Sequence, residues 1–396
     1  MSISPAKIKG IRYFIFLKDV MRLALTAIGG PGAHFVRFEQ LLVTKKRYLS
    51  RENLLELNSL CQLLPGPTST QTLTAIGFRL GGPLLAIFTL IAWILPATFL
   101  MTGLVFIMSG ESTIKIPTSL VKYLPEMALG FIIYAAFKML PMLVKTGLHI
   151  FICCGAALLC ILISYPAIYP LVLLAGGTFT VLFPKPEPSL QPPVNIKWRN
   201  LLLLGVIFLA AAFGGLLTQN KNVILFENVF RFGSLVFGGG NVLIPMMYDQ
   251  FVIFKEYMNN EQFMTGVGLV QAIPGPVFSF STYATGMVFH NGSMMQQLGG
   301  CVIGTVAIFM PGMLLIFFVY PIWNRIKIYR NILKAIEGVN AASAGLMLSA
   351  AWLLCRPVSF SFENVVVIAA TIALLWWNKL PSPVIVLLTL LAGYFG

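Results

Sequence analysis

The sequence predicts an all-α, multispanning membrane protein made of two related halves. Hydrophobic residues make up 58% of the 396 residues and charged residues only 10%, whereas a soluble domain carries about 25% charged residues. Residues 83–110 and 299–323 contain no Asp, Glu, Lys, Arg or His. Each stretch exceeds the roughly 20 residues that a helix needs to cross the hydrocarbon core. The chain is therefore expected to cross a bilayer several times.

A repeated motif indicates that the two halves are related. The six residues from Gln62 to Pro67, which end in Pro-Gly-Pro, return 209 residues later as Gln271 to Pro276. The same offset relates other pairs, among them Gly29-Gly30 with Gly238-Gly239, Lys46 with Lys255, and Glu52 with Glu261. An apolar unit duplicated with Pro and Gly breaks at matching places is typical of secondary transporters, whose substrate site lies where the repeats meet.

The first repeat is predicted over residues 16–183. It begins with two apolar segments that Gly or Pro interrupts, with a basic loop between them, and continues as four apolar helices. The predicted bounds are 16–38 and 52–80 for the broken segments, 39–51 for the loop, and 83–108, 122–145, 148–164 and 166–183 for the helices. Pro96 in the first of these helices, like Pro311 in the second half, removes a helix hydrogen bond and predicts a bend.

A linker over residues 184–222 and a second repeat over 223–396 complete the chain. The linker starts with a polar, proline-rich stretch that is expected to lie outside the membrane, and it ends with a helix near 200–219 that has no partner in the other half. The second repeat contains broken segments at 223–245 and 261–288, and helices near 296–321, 332–354, 361–378 and 381–395.

The distribution of cations over the loops predicts that the repeats are inverted. Loop 37–51 holds five Lys or Arg residues, whereas its counterpart 246–260 holds one; for loops 322–334 and 109–122 the numbers are four and two. Cytoplasmic loops are enriched in Lys and Arg, so equivalent loops are expected on opposite sides. We therefore predict a multi-pass protein of the inner (cytoplasmic) membrane, with the N-terminus inside and the C-terminus outside. Four re-entrant hairpins and nine crossing helices satisfy this pattern; in the alternative, all thirteen elements span.

The broken segments are the predicted substrate site. Non-helical backbone at membrane depth is tolerated only where protein or a water-filled cavity surrounds it, and the helix start after each break presents free N–H groups that favour anions. The hydroxyls that follow each Pro-Gly-Pro motif can add hydrogen bonds. The candidate residues are Gly29, Gly30, Pro65, Gly66, Pro67, Thr68 and Ser69 in the first half, and Gly238, Gly239, Pro274, Gly275, Pro276, Ser279 and Ser281 in the second. In the alternative interpretation, Pro-Gly-Pro makes a tight turn and the hydroxyls cap helices.

Five further polar residues have two interpretations each. Gln62 and Gln271 precede the breaks, and either hold the loop backbone or touch the substrate. Arg79 either places a fixed positive charge near the pathway or anchors its helix at the membrane interface. Glu52 and Glu261 are candidate proton carriers, although an acid in the first turn of a helix is also favoured by the helix dipole.

Composition argues against the other functional classes. Only three histidines are present, and no spacing suggests a metal site, a nucleophile or a cofactor site. An enzyme is therefore not expected, and neither is a bound cofactor or metal. The formal charge is +14, and the Lys and Arg residues gather in loops, as is typical of the cytoplasmic loops of membrane proteins. A nucleic-acid partner is therefore not expected. A homo-oligomer is compatible with the sequence.

These motifs resemble the chromate transporter family in its long, two-domain form. The resemblance covers nearly the whole chain and rests on Gly29-Gly30-Pro31, Lys46-Arg47-Tyr48-Leu49, the segment Cys61 to Pro67 with Gln71, the segment Phe237 to Gly240, and the segment Gln271 to Phe278. Ile28 departs from the pattern, since the family usually has Phe there. The resemblance implies transport of chromate, a tetrahedral dianion, and efflux across the membrane. Uptake or exchange of sulfate or molybdate is the alternative, and a proton is a candidate coupling ion.

Overall fold

The computed structural model of the protein describes residues 11–109, 117–163, 165, 168–183, 199–237, 240–323, 330–359 and 361–395, and in these residues it is helical without a β-strand. The helices are α1 (Ile11–Thr26), α2 (Gly30–Phe38), α3 (Arg51–Gln62), α4 (Thr68–Met108), α5 (Thr118–Val121), α6 (Leu124–Leu143), α7 (Gly147–Leu162), α8 (Ile168–Leu182), α9 (Arg199–Thr218), α10 (Lys221–Leu235), α11 (Gly240–Tyr248), α12 (Asn260–Val270), α13 (Phe280–Met287), α14 (Met294–Val319), α15 (Arg330–Cys355), α16 (Phe362–Trp377) and α17 (Ser382–Phe395). Gly238, Gly239 and the proline-rich part of the linker lie outside the described residues.

The all-α fold is confirmed, and the helices follow the predicted apolar segments closely. The predicted break after Leu80 is present although α4 is helical on both sides of it, because Gly82 has the non-helical angles φ 78 and ψ −166. Only glycine adopts such a conformation at low cost. Gly82 thus separates the segment that starts after the first Pro-Gly-Pro motif from the long apolar helix that begins at Pro83.

The basic loop is shorter than the sequence predicts. After α2 the chain continues as a π-helix over Glu39–Lys45, and the Lys46 N–H closes it on the Leu41 carbonyl at 2.9 Å. The second half has the same local structure, with a π-helix over Asp249–Phe254 after α11. In both halves a non-glycine residue with positive φ follows, Arg47 or Glu256. The predicted loop 39–51 is therefore a helical extension followed by a short turn.

The helices pack into two compact units, each discontinuous in sequence. The first unit comprises Met1–Phe106, Ile196–Ser234 and Ile273–Trp323, and the second comprises Ile107–Asn195, Leu235–Ala272 and Asn324–Gly396. Each unit therefore takes segments from both halves of the sequence. The division into repeats at 16–183 and 223–396, with the linker 184–222 between them, stays a prediction.

The length and composition of the helices make this an integral membrane protein. Among the described residues, four helices are long and apolar enough to cross a membrane, Thr68–Met108, Ser119–Leu143, Met294–Ile322 and Leu333–Cys355, and shorter apolar helices accompany them. Large apolar side chains point outward from the packed units, such as Phe99 (75% exposed), Leu217 (83%) and Trp376 (70%). Lipid tails are the environment in which such surfaces are stable. The re-entrant hairpins and the orientation of the termini stay predictions.

Close backbone contacts at glycines hold α13 against α14 in the first unit. A Cβ atom added to Gly300 would lie 2.5 Å from the carbonyl oxygen of Thr285, and one added to Gly304 would lie 2.7 Å from that of Ser281. In the second unit, α15 lies equally close to its neighbours. A Cβ atom on Gly338 would collide with the Gly176 carbonyl of α8, and one on Gly345 with the Cys153 carbonyl of α7. Small residues at these positions allow the close approach that packing between membrane helices requires.

Candidate anion-binding site

Both Pro-Gly-Pro motifs form turns in the first unit, and each turn depends on its glycine. Gly66 has φ +115 and Gly275 has φ +111, a region that residues with a Cβ atom rarely adopt. The Gly275 N–H donates a hydrogen bond of 2.9 Å to the carbonyl of Ala27, which follows the last residue of α1. The second turn is therefore attached to the break between α1 and α2, where Gly29 and Gly30 also have positive φ.

Each turn packs against helices from the other half of the sequence. A Cβ atom on Gly66 would lie 3.6 Å from the Gly233 carbonyl of α10, and one on Gly275 would lie 3.0 Å from the Cβ of Ala97 in α4. Ala97 follows Pro96, one of the two prolines inside α4. The first turn thus contacts the second half, and the second turn contacts the first half. This reciprocal packing brings the two motifs into one region of the first unit.

Gln71 fixes the first turn from within. Its Nε2 donates a hydrogen bond of 2.7 Å to the Pro65 carbonyl. A Cβ atom on Gly66 would lie 3.0 Å from this Nε2, and one on Gly312 of α14 would lie 3.2 Å from it. The Gln71 amide therefore lies between two glycines, which leave room for it. Its Oε1 is buried without a hydrogen-bond partner among the described residues.

The start of α4 presents free backbone donors beside this turn. The first backbone bond of the helix runs from the Gln71 N–H to the Pro67 carbonyl at 2.9 Å. The N–H groups of Thr68, Ser69 and Thr70 precede it, so they have no carbonyl one turn earlier in the helix to bind. Free N–H groups and the positive end of the helix dipole favour an anion.

His34 connects the start of α4 with the break between α1 and α2. It is 1% exposed, and its Nδ1 lies 3.0 Å from the Ser69 hydroxyl. Trp93 packs edge-on against the His34 ring, with 5.2 Å between centroids, and its indole N–H donates to the Thr70 hydroxyl at 3.1 Å. The second ring nitrogen of His34, Nε2, is buried without a hydrogen-bond partner in the part of the chain that the structure describes.

We call this region the turn junction and define it by Ala27, His34, Gly66, Ser69, Gln71 and Gly275. The structure brings most of the predicted residues of the first half to it, together with Pro274, Gly275 and Pro276 of the second half. His34 was not among the predicted site residues, because a single histidine without a counterpart in the other repeat is more often structural. Trp93 was not predicted either, because an aromatic residue in a long apolar helix looks like a packing residue.

The serines that follow the second Pro-Gly-Pro motif are used for internal bonds. Ser279 is fully buried and its hydroxyl donates to the Pro276 carbonyl at 2.7 Å. Ser281 is also fully buried, and its hydroxyl donates to the Gly304 carbonyl at 3.2 Å. These hydroxyl protons stabilise the turn and the packing of α13 on α14, whereas Ser279, the N-cap of α13, makes no side-chain cap hydrogen bond.

Arg79, Gln62 and Gln271 lie away from the bonds of the turn junction. Arg79 is half-buried and follows Thr68 by eleven residues in α4, which corresponds to roughly 16 Å along a helix. There its side chain interacts with Tyr320. Gln62 is exposed at the end of α3, and Gln271 is half-buried at the end of α12, where its N–H donates to the Gly268 carbonyl at 3.2 Å.

Both candidate proton carriers lie in exposed first turns of helices. Glu52 is exposed, and its pKa is lowered by hydrogen bonds from its own backbone N–H and from Ser50. Ser50 is the N-cap of α3 and accepts a hydrogen bond from the Asn53 N–H at 3.3 Å. Glu261 is exposed in the first turn of α12, which a capping box between Asn259 and Gln262 closes. These surroundings favour the role of helix-start acids.

Comparison with known proteins shows that both halves of the chain match the same family. The family model described as chromate transporter matches residues 14–181 and again residues 223–394. The chain belongs to the chromate transporter family. Members of the chromate transporter family are transporters, so the protein is a membrane transporter and not an enzyme. Among the described residues, no group of three or more His, Cys, Asp or Glu side chains could hold a metal ion.

Curated relatives of the chromate transporter family align over nearly their full length. The chain is 25% identical to a chromate transport protein of Cupriavidus metallidurans, over 92% of this chain and 88% of the relative. It is 24% identical to a chromate transport protein of Pseudomonas aeruginosa, over 94% and 90%. An uncharacterized transporter of Methanocaldococcus jannaschii is 24% identical, over 94% and 92%. No solved structure matches the chain.

Proposed function

We propose that the protein is a secondary transporter that moves chromate out of the cell across the cytoplasmic membrane. Membership of the chromate transporter family supports the cargo, since relatives that align over most of the chain are named chromate transport proteins. The turn junction supports the chemistry, because it combines a helix start with buried polar side chains. The efflux direction is inferred from the family resemblance alone.

The observation that carries the proposal is the connection of both Pro-Gly-Pro turns through His34 and its neighbours. The Gly275 N–H binds the Ala27 carbonyl at the break between α1 and α2, and His34 in α2, the helix that follows this break, pairs with Ser69 at the start of α4. When the Ser69 hydroxyl donates to Nδ1, the proton of the neutral imidazole is on Nε2. Nε2 is then a buried donor, and an oxyanion bound at the α4 start can accept its proton in a hydrogen bond.

Neutral donors suit a carrier, because the anion must also be released. Backbone N–H groups and the His34 N–H supply hydrogen bonds without a fixed positive charge. A dianion that leaves a negative interior gains about 2.3 kcal/mol per charge for each 100 mV of membrane potential. The potential alone can therefore drive efflux, and a coupled proton can add to it. The predicted residues outside the turn junction, including Gly238, Gly239 and Arg79, remain candidates for other stages of transport.

Uptake or exchange of sulfate or molybdate is the second candidate function. It is favoured by the nature of the donors, because N–H and O–H groups bind any tetrahedral oxyanion of similar size. Reconstitution into proteoliposomes separates the two. We expect radiolabelled chromate to cross faster than sulfate or molybdate, and unlabelled chromate to compete best. Preferred transport of sulfate or molybdate would assign the second function, and no flux of any of these oxyanions would contradict both.

Replacing His34 by alanine is expected to weaken oxyanion transport at least tenfold in apparent affinity. The change removes one buried donor, and a hydrogen bond to a charged group is worth about 1.5–3 kcal/mol. Initial rates of chromate flux at varied concentration measure the effect. His290→Ala is the matched control, since His290 binds the Met287 carbonyl in the turn after α13 and has no place in the turn junction. Equal apparent affinity in the His34 variant and the control would exclude His34 from the site.

A further inference from the structure

The second unit contains a buried carboxylate with no partner among the described residues. Asp249 begins the π-helix that follows α11 and is only 8% exposed. No salt bridge or hydrogen bond to its carboxylate is found in the described ranges. An ionised carboxylate in an apolar environment is strongly disfavoured unless it is paired, and in practice such a group takes up a proton. Ionisable side chains inside membrane proteins are costly, and they often carry function.

A small cavity adjoins this carboxylate. It is lined by Asp249 together with Cys160 of α7, Tyr169 of α8, Ser349 and Trp352 of α15, and Arg356 just after α15. Three of these residues offer a hydroxyl or thiol group, and Arg356 offers a positive charge. Trp352 and Arg356 are exposed, so the cavity reaches the surface of the second unit. Asp249 is thus buried, yet the polar groups that line the cavity lead from it to the surface.

The other buried aspartate, Asp19 in the first unit, is neutralised by partners. It is 5% exposed, but its Oδ2 accepts a hydrogen bond from the Tyr48 hydroxyl at 2.7 Å and lies 3.3 Å from the Lys46 ammonium. Asp19 therefore has the surroundings of a structural acid. Asp249 lacks comparable partners among the described residues, although both acids are buried to a similar extent.

The local fold does not require an acid at position 249. The π-helix of the first half is Glu39–Lys45. By the repeat offset of 209 residues, Gln40 corresponds to Asp249, and Gln40 is exposed. The same backbone structure thus forms with an uncharged side chain. Retaining a buried carboxylate in the second half has an energetic cost that the fold itself does not explain.

We propose that Asp249 is a proton-binding site that couples proton movement to oxyanion transport, which rests on the proposed function. The carboxylate takes up one proton to become the neutral acid and later releases it, with no other bond changed. A metal ion fits less well, because this cavity offers one carboxylate and places the Arg356 cation beside it. The charged and titratable groups that line the cavity with Asp249 are Cys160, Tyr169 and Arg356.

The Asp249→Asn variant tests the proposal. Asparagine has the same shape and does not titrate, so we expect exchange of oxyanion at equal pH to continue. Acceleration of chromate flux by a pH gradient is expected to fall at least tenfold, and Asp249→Glu is expected to restore most of it. Glu363→Gln is the matched control in the same unit, because Glu363 is an exposed acid paired with Lys122. A wild-type response to the pH gradient in Asp249→Asn would overturn the proposal.

Infrared spectroscopy of the full-length protein separates failure of this site from failure of the proposed function. A protonated carboxyl group has a C=O stretch band that appears and disappears as it titrates. We expect such a band in the wild type and its loss in Asp249→Asn, even if none of the oxyanions tested is transported. Absence of a band that depends on Asp249 would contradict the proton site. Chromate flux that is driven by a sodium gradient would also contradict the proton site. So would loss of the pH response in Glu261→Gln alone.

Discussion

Replacing Gly275 by alanine is expected to abolish oxyanion transport while leaving the protein in the membrane. Gly275 has φ +111, and an alanine held in such a region is strained by about 1–3 kcal/mol. Its Cβ would also lie 3.0 Å from the Cβ of Ala97. Relief of this strain moves the turn and breaks the bond from the Gly275 N–H to the Ala27 carbonyl. Chromate flux into proteoliposomes, normalised to the amount of inserted protein, is expected below about a tenth of the wild-type rate.

A glycine in a helix provides the control for this effect. Gly32 lies in α2, and a Cβ atom there would meet nothing within 4 Å. Gly32→Ala is therefore expected to keep nearly full flux.

Gly66→Ala is expected to resemble Gly275→Ala, since Gly66 has φ +115 and its Cβ would lie 3.0 Å from the Nε2 of Gln71. Alanine in place of Pro65, Gly66 and Pro67 together is expected to abolish flux as well. Normal flux in Gly275→Ala and in this triple variant would refute the role of the turns.

Gly300→Ala is expected to destabilise the first unit by crowding α14 against α13. Its Cβ would lie 2.5 Å from the Thr285 carbonyl oxygen, which is a backbone atom, so no side chain can rotate away to relieve the contact. Overpacking of this kind costs about 1–3 kcal/mol. In thermal unfolding of the purified protein in detergent, we expect the melting temperature to fall by about 5 °C.

The neighbouring glycine is a matched control for stability. A Cβ atom on Gly299 would meet nothing within 4 Å, so Gly299→Ala is expected to keep the wild-type melting temperature. The two variants differ by one position in the same helix, and both change glycine to alanine. Helix propensity therefore cancels between them. Equal melting temperatures would show that α13 and α14 are not held as closely as described.

Much of the secondary structure could be predicted from local chemistry. Proline and glycine in an apolar segment interrupt the helix whatever surrounds them, so the breaks near Gly29, Gly66 and Gly275 were predictable. Ser50 as an N-cap was equally visible, since it precedes an acidic first turn. The π-helices were not predicted, because a shift from α to π bonding depends on a small difference in backbone energy and leaves no periodicity that a short segment can show.

Contiguous residues were enough to predict a helical membrane transporter with two interrupted motifs, because hydrophobic length, helix breaks and family motifs are local properties of the chain. Which polar groups meet became known from the packing of the helices. His34 reaches Ser69 across 35 positions, Ser281 binds a carbonyl of another helix, and Asp249 is buried without a partner among the described residues. Burial and pairing depend on which helices pack together, and local sequence patterns do not specify that packing.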